Sequence, residues 1–307
     1  MFEALDADPH DRCLGELPPT GGTILRTVCP VSVASLDSLD ALYEPAEGPH
    51  GKLLFVREAS PPDGITPSSA ALMLGDESDP LTASVIQPYP HTATSGKIHQ
   101  GISQIRWLSD TRAVYLAEKV MYLAACGSCP LDTVRTGIEV VQLDLSGPTP
   151  VSAIVPNTDE VSSIDATGDP DQIIITRNGD GRVYQLTIST GTTVILHDFG
   201  PGQIVRDARV RGNRLYAIVG GRVSFVVDPV LGSVQRDESG PLLTVDLSTG
   251  NSSPMFVPDK YFRRPAVSPL GDHLVAESFD AVITGCGFNC ADTTVGKVAD
   301  LWLFDLP

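Results

Sequence analysis

Six cysteines are the residues of this sequence whose spacing most clearly allows chemistry. They fall into three local pairs: Cys13 with Cys29, Cys126 with Cys129 in the segment CGSC, and Cys286 with Cys290 in the segment CGFNC. An even number of cysteines, paired locally in Gly-rich loops, favours disulfides formed in an oxidising compartment. The sequence therefore predicts three small local disulfides.

Two other interpretations of the cysteines remain open. Zinc prefers four thiolates in a tetrahedron, so Cys126, Cys129, Cys286 and Cys290 together could hold one zinc ion. A C-x-x-C motif also lowers the pKa of one thiol, which would make CGSC a redox dithiol. Disulfides are favoured because the two pairs are far apart, no histidine lies near either, and Pro130 follows CGSC without a helical pattern.

Acidic residues suggest one further metal site. Asp165, Asp169 and Asp171 could offer hard oxygen ligands to calcium from a loop. Their spacing departs from the Asp-x-Asp-x-Asp-Gly form, so a solvated turn is the favoured interpretation. The sequence contains no G-x-S-x-G, H-E-x-x-H, P-loop or G-x-G-x-x-G motif, and its six histidines are scattered. No catalytic or cofactor site is predicted.

Composition narrows the class of protein and the kind of partner. Hydrophobic residues make up 42% of the 307 residues and charged residues 19%, enough to bury a sizeable core. The 38 acidic residues outnumber the 21 lysines and arginines, and the net charge of −17 argues against nucleic acid or anionic membranes as partners. No apolar run reaches the roughly 18 residues that a membrane helix requires. The acidic, polar start resembles no secretory signal, so export would require a signal that was removed.

Short strands recur along the whole chain, each closed by Gly, Pro, Asp or Asn. They group into units of four strands, in which the third strand ends in Asp-Leu or a close relative. About five such units are present, and a repeated antiparallel four-stranded unit is typical of a β-propeller blade. Residues 111–126, which would also suit a helix, are predicted as a strand with an extended loop. Residues 35–43 are predicted to hold a helical turn.

The last unit has only three strands, and the segment 20–28 near the start has no partner. We therefore expect this N-terminal strand to close a five-bladed ring, which also removes exposed sheet edges. The domain prediction is an N-terminal extension over 1–19 and a single propeller domain over 20–307. A ring of six blades, with one degenerate blade within 29–60, is the alternative.

The segments AVSPLGDHLVAES (266–278) and ADLWLFDLP (299–307) carry a family likeness. They resemble the TolB-type propeller repeat, a relative of the WD repeat, in which Ser-Pro-Asp-Gly precedes an apolar strand. Ser268, Pro269 and Gly271 match that motif, whereas Leu270 replaces its Asp. The resemblance implies a propeller fold, and it implies no particular activity because such propellers serve many functions.

Three long loops link second to third strands, at 119–136, 220–240 and 279–299, and all should emerge on one face. Loops of this length are usually functional or disordered, and two of them carry their own cysteine pairs. The candidate contact residues on this face are Tyr122, Ser128, Arg135, Gln235, Arg236, Phe288 and Asn289. An equally weighted alternative is that the cysteines only keep long loops from fraying.

These observations favour a noncatalytic, exported β-propeller that binds a protein or a cell-envelope component through its long-loop face. The expected location is periplasmic or extracellular, with no cofactor. One alternative is a carbohydrate-active hydrolase with two carboxylates, such as Asp165 and Asp207, in the axial funnel. A second alternative is a structural subunit of an extracellular assembly, which would show a large apolar patch.

Overall fold

The computed structural model describes most of the chain. The described residues are 2–5, 12–16, 25–29, 39–60, 69–93, 95–122, 133–220, 223–228, 233–237, 240–255, 260–268, 271–280, 283–284, 293–294 and 300–306. These residues form antiparallel sheets that follow one another in chain order, with one short 3-10 turn at Pro49–Gly51.

Three sheets occupy the first part of the chain. The N-terminal sheet contains β1 (Phe2–Leu5), β2 (Arg12–Glu16) and β3 (Arg26–Val28). Blade I contains β4 (Leu39–Glu47), β5 (Lys52–Ser60), β6 (Ser69–Asp76) and β7 (Asp79–Tyr89). Blade II contains β9 (Ile98–Ser109), β10 (Arg112–Tyr122), β11 (Thr133–Asp144) and β12 (Val151–Ile154), with the short β8 (His91–Thr92) paired to β9.

Three blades follow. Blade III contains β13 (Val161–Ala166), β14 (Gln172–Arg177), β15 (Arg182–Thr187) and β16 (Thr192–Asp198). Blade IV contains β17 (Val205–Arg211), β18 (Arg214–Val219), β21 (Leu242–Asp246) and β22 (Ser252–Pro254). Blade V contains β23 (Lys260–Val267), β24 (His273–Asp280) and β27 (Asp300–Asp305). Two hairpins lie between blade strands: β19 (Val223–Asp228) with β20 (Ser233–Asp237), and β25 (Ile283–Thr284) with β26 (Thr293–Thr294).

The five blades give the chain the fold class of a five-bladed β-propeller, as the repeat predicts. The chain divides into two compact units, one with residues 1–160 and the turns 168–171 and 189–191, the other with the remaining residues. The first unit has an apolar core in which Leu54, Tyr115 and Leu143 of blades I and II pack together. In the second unit, separate apolar clusters join blades III and IV and blades IV and V.

The Asp-Leu ending of the third strand has a clear structural role. Asp76, Asp144 and Asp246 each accept a hydrogen bond from the backbone N–H of a serine two residues later, at 2.8 Å. This bond closes the turn into the fourth strand, and it lowers the pKa of each carboxyl together with the serine side chain. The next residue donates its N–H to the turn between the first two strands, as Leu145 does to Thr111 at 2.7 Å. The pattern therefore fixes both turns at one end of a blade.

In blade III a different carboxylate accepts the hydrogen bond from the serine after the third strand. Its third strand ends at Thr187, so Ser189 lacks the usual aspartate two residues before it. Instead, the N–H of Ser189 donates to Oδ1 of Asp171 at 2.9 Å, and its hydroxyl donates to Oδ2 at 2.6 Å. Asp171 therefore has a structural role in closing these turns.

The predicted closing strand at 20–28 is described only in part. Residues 20–24 lie outside the described residues, and Arg26–Val28 pairs with β2 of the N-terminal sheet, so closure of the ring by this strand stays a prediction. Residues 39–60 supply the first two strands of blade I, so they do not form a sixth, degenerate blade. The predicted helical turn at 35–43 is wrong over 39–43, which belongs to β4, whereas 35–38 lies outside the described residues. The predicted domain boundary at 19–20 also falls outside them and stays a prediction.

Trp107 shows how closely blades I and II pack. Its indole N–H donates to the carbonyl of Ala46 at 2.9 Å, which holds the ring against the chain at Gly48. A Cβ atom at Gly48 would lie 2.4 Å from Cε2 of Trp107, far inside van der Waals contact. Gly48 has an ordinary φ of −118°, so the need for glycine here is purely steric.

We expect Gly48→Ala to lower the free energy of unfolding by about 1–3 kcal/mol, because the added methyl group overpacks the interface. Urea denaturation followed by tryptophan fluorescence measures this change. The control is Gly147→Ala, where the nearest atom to a new Cβ is 3.7 Å away, and we expect less than about 0.5 kcal/mol. Equal losses of unfolding free energy in both variants would show that the clash with Trp107 does not cause the destabilisation.

Candidate functional site

Several charged residues of the first unit converge at one end of blade II. At this end β9 begins, β10 ends at Tyr122 and β11 begins at Thr133, so the link containing CGSC departs here. The register places Ile98 opposite Val120, and Lys119 opposite both His99 and Gly137. We call this region, formed by 97–101, 118–122, 133–139 and 157–160, the loop end of blade II.

Glu139 is the centre of the loop end. Its side chain is only 1% exposed, because it lies on the same buried face of β11 as the apolar Val141 and Leu143. Nε2 of His99 lies 2.7 Å from Oε1 of Glu139, and Nζ of Lys97 donates to Oε2 at 2.6 Å. A buried carboxylate is tolerated only when it is paired in this way.

A second lysine extends this cluster to the surface. Nζ of Lys119 lies 3.7 Å from Oε2 of Glu139 and donates to Oδ1 of the exposed Asp159 at 2.6 Å. Four strands or their adjoining turns are thereby tied together, since Lys97 precedes β9, Lys119 lies on β10, Glu139 on β11 and Asp159 before β13.

The charges in this cluster shift the pKa values of Glu139 and Lys119. Burial acts to raise the pKa of Glu139, but the hydrogen bonds from Lys97 and His99 outweigh burial and hold it below its usual value. Burial acts to lower the pKa of Lys119, but the bond to Asp159 and the charge of Glu139 raise it. Both residues are therefore held in their charged forms.

A histidine pair flanks the cluster. His91 on β8 lies directly opposite His99 on β9, and burial together with the charge of His99 lowers the pKa of His91. A recess beside them, lined also by Ser152 and Ile154, has a cavity volume of only about 10 Å³. That is below the roughly 300–1,000 Å³ typical of ligand pockets, so it offers no small-molecule site.

A buried polar network joins β7 of blade I to β10 of blade II. The hydroxyl of Tyr89 donates to that of Tyr115 at 2.8 Å, and Nε2 of Gln87 donates to Tyr89 at 2.8 Å. Burial raises the pKa of Tyr115 to about 12 and also raises the pKa of Tyr89. These hydroxyls stay protonated and satisfy one another, so the network is structural.

These residues were not predicted from the sequence, although two signals were present. Glu139 is a charge at a buried position of the alternating strand IEVVQLDL, which predicts a buried partner. Ser95-Gly96 marks a turn that folds residues 91–92 onto 98–99, which would have paired the two histidines.

The carboxylates suggested for a hydrolase lie in a different environment, on β13 and β17. Nη1 of Arg209 contacts Oδ1 of Asp207 at 2.5 Å, and its Nε lies 3.8 Å from Oδ1 of Asp165. Nη1 of Arg211 lies 2.7 Å from Oδ2 of Asp165. Both carboxylates are bound by neighbouring guanidinium groups, an arrangement that suits a structural ion network.

The predicted metal ligands are not brought together among the described residues. Asp165 contacts arginines, Asp169 accepts from the N–H of Asp171 at 2.9 Å, and Asp171 binds Ser189. No group of three or more acidic, His or Cys side chains in the described ranges could hold a metal ion. The four cysteines considered for zinc, Cys126, Cys129, Cys286 and Cys290, lie outside these ranges.

The predicted contact residues fall partly on strands. Tyr122 and Arg135 lie at the ends of β10 and β11, so the CGSC loop is shorter than expected. Gln235 and Arg236 belong to β20, because the 220–240 link contains a hairpin of its own. Ser128, Phe288 and Asn289 lie outside the described residues. The role of these residues in binding stays a prediction.

Comparisons with solved structures find proteins with a similar fold. No known protein family and no curated protein matches the chain. TolB from Acinetobacter baumannii is similar at 15% identity with a TM-score of 0.53, over 87% of this chain and 56% of that one. The fold is TolB-like. This likeness shows the fold alone, and the chain spans little more than half the length of that relative.

Two further structures are more distant. A protein of Agrobacterium tumefaciens described as TolB covers 92% of this chain and 80% of its own, at 12% identity and a TM-score of 0.49. The β-propeller domain of Cps50 (Swd1) from Myceliophteria thermophila covers 92% and 82%, at 14% identity and a TM-score of 0.43. Separately, none of the helices in the described residues is long and apolar enough to cross a membrane.

We expect Glu139→Gln to lower the free energy of unfolding at pH 7 by about 1–3 kcal/mol, since the lysines lose their charged partner. The folded-state pKa of Glu139 is lowered, so its contribution is present above the unfolded value of 4.5 and is lost as the pH falls through the folded value. The difference between wild type and variant should therefore shrink below about pH 4.5. Thermal unfolding from pH 7 to pH 3 measures it.

Glu77→Gln is the matched control for this experiment. It removes the same charge from an exposed turn of blade I. We expect its stability to follow that of the wild type across the whole pH range. A pH-independent difference for Glu139→Gln would contradict the charge-based account and leave only a packing role.

Proposed function

We propose that this protein is a noncatalytic protein-binding module and that the loop end of blade II is its contact surface. One observation carries the proposal: a buried ion cluster locks several strand ends beside Met121, whose side chain is 51% exposed. A rigid frame lowers the entropy lost on binding, and methionine is an adaptable apolar contact.

Position and chemistry both support this surface. Met121 is the penultimate residue of β10 and lies on the same face as Lys119, directly before the link that contains CGSC. Lys97 and Asp159, which are partly or well exposed, carry charges of both signs at the same end of the blade. An apolar centre within a polar rim is typical of protein interfaces.

The paired charges support a noncatalytic role. Glu139 is bound by His99 and Lys97, and Asp165 and Asp207 are bound by Arg209. A general acid needs a raised pKa, whereas the pKa of Glu139 is lowered. Because arginines already bind Asp165 and Asp207, we favour the binding module over a hydrolase that uses these two carboxylates.

We further propose that the protein is exported and carries three local disulfides. Cys29 is disulfide-bonded, and Leu14 pairs with Val28, so Cys13 and Cys29 are the next residues of these two segments along the chain. Cross-strand neighbours are close enough for such a bridge. Local disulfides persist in oxidising compartments, which supports a periplasmic or extracellular location.

The binding surface is tested by a photo-crosslinking amino acid at position Met121, introduced into the protein in its native cells. We expect one dominant protein adduct, because an apolar centre in a rigid frame selects a specific partner. With that partner purified, Met121→Asp should weaken binding at least about tenfold, which corresponds to a loss of about 1.4 kcal/mol.

Val151 provides the control position. It is 63% exposed and lies at the opposite end of blade II, at the start of β12. The probe at Val151 should not capture the same partner, and Val151→Asp should leave the affinity unchanged. Equal capture at both positions, or none at Met121, would refute the proposed surface.

The disulfides are tested by intact-mass spectrometry after alkylation, before and after reduction, with zinc measured on the same sample. We expect no alkylated thiol before reduction, six after it, no zinc, and a Cys13–Cys29 peptide in the non-reduced digest. Four free thiols with one bound zinc would overturn both the disulfide pairing and the export proposal.

A further inference from the structure

The short strand β8 is held to the start of β9 by a small pairing. Its two residues are His91 and Thr92, and His91 lies directly opposite His99. The N–H of Ala93 continues the pairing by donating to the carbonyl of Lys97 at 2.8 Å. A short pairing of this kind opens at a low free energy, because few hydrogen bonds and apolar contacts hold it. We call residues 91–93 the β8 arm.

The β8 arm lines the recess beside a buried histidine. His91 and Ala93 form this recess together with His99 and Ile154, which belong to β9 and β12. His99 is 1% exposed, and its Nε2 contacts the buried Glu139 at 2.7 Å. Release of the arm would therefore bring water to the contact between His99 and Glu139, which is tolerated inside the blade because both groups are partnered.

The two histidines have different surroundings. His99 contacts Glu139, which Lys97 also binds, whereas the ring of His91 lies edge-on to that of Tyr89, with 6.3 Å between the ring centroids. A proton on His91 would thus be placed beside an aromatic ring and a second histidine. The titratable and charged side chains around this end of blade II are Tyr89 on β7, Lys97 before β9, Glu118 and Lys119 on β10, Glu139 on β11, and Asp159 and Glu160 before β13.

The direction of the pH effect follows from these surroundings. Burial and the charge of His99 both lower the pKa of His91 below its ordinary value of 6.5. An arm that has moved into water regains the ordinary value, so the open arm binds the proton more tightly than the paired arm. The contribution of His91 to the pairing is therefore complete above about pH 6.5 and is lost as the pH falls below that value.

We propose that the β8 arm is an acid-sensitive latch, in which protonation of His91 releases the arm from β9 and opens the recess beside His99 and Glu139. The arm pairs with residues 97–99, which belong to the loop end of blade II, so its release changes the surface there in mild acid. Opening needs only a proton from water and does not depend on a partner at Met121.

Hydrogen exchange of the Ala93 amide tests the latch. It is measured by NMR on the native protein from about pH 7.5 to about pH 5.5 and corrected for the intrinsic exchange rate at each pH. We expect the protection factor of this amide to fall several-fold, with about tenfold as the limit that one proton sets over this range. The amides of β10, which pairs with β9 and β11, should keep their protection because the opening is local.

His91→Gln tests whether His91 is the titrating group. Glutamine keeps a polar side chain but does not titrate, so the protection of Ala93 should no longer change with pH. The matched control is His197→Gln on the outer strand of blade III, where burial also lowers the pKa of the histidine. This control should retain the pH dependence of the wild type at Ala93.

Three results would overturn the latch. The first is wild-type protection of Ala93 that stays constant from about pH 7.5 to about pH 5.5. The second is an unchanged pH dependence in His91→Gln, since it would place the titrating group elsewhere, such as at His99. The third is a parallel loss of protection in β10, since it would show that acid opens the whole blade and not the arm.

Discussion

The hydrogen bond at the end of the third strand is the constraint on which the blades depend. A blade is buried on both faces, so its strand ends must satisfy their backbone groups within a few residues. Asp76, Asp144 and Asp246 do this by accepting the N–H two residues later, and the following residue reaches the neighbouring turn. Because all three carboxylates are exposed, their hydrogen bonds determine the conformation of the turns and add little to the free energy of unfolding.

The other end of blade II is held by a buried charge. Glu139 must remain paired because an unpaired carboxylate at 1% exposure would be costly, and its partners come from separate strands. The same interaction therefore supplies rigidity and specifies which side chains reach the surface. Lys119, two residues before the exposed Met121 on β10, belongs to this ion cluster.

The sequence predicted the repeats better than it predicted the site. The Asp-Leu endings and short apolar runs located most blade strands, and residues 112–122 were correctly assigned to a strand. Strand β4 was missed because Pro45 and a bulge at Glu44, whose φ is 53°, interrupt its alternation. The Glu139 cluster was missed because its members are distant in sequence and meet only through strand register.

Blade V shows what happens when one part of the pattern changes. Leu306 still donates its N–H to the carbonyl of Asp272 at 2.7 Å, so the link between the third strand and the first turn is retained. Two residues after Asp305, however, the chain has Pro307, which carries no N–H and cannot make the serine bond of blades I, II and IV. Blade V therefore keeps the bond that ties its third strand to its first turn, whereas its sequence places a proline where blades I, II and IV have the serine N–H.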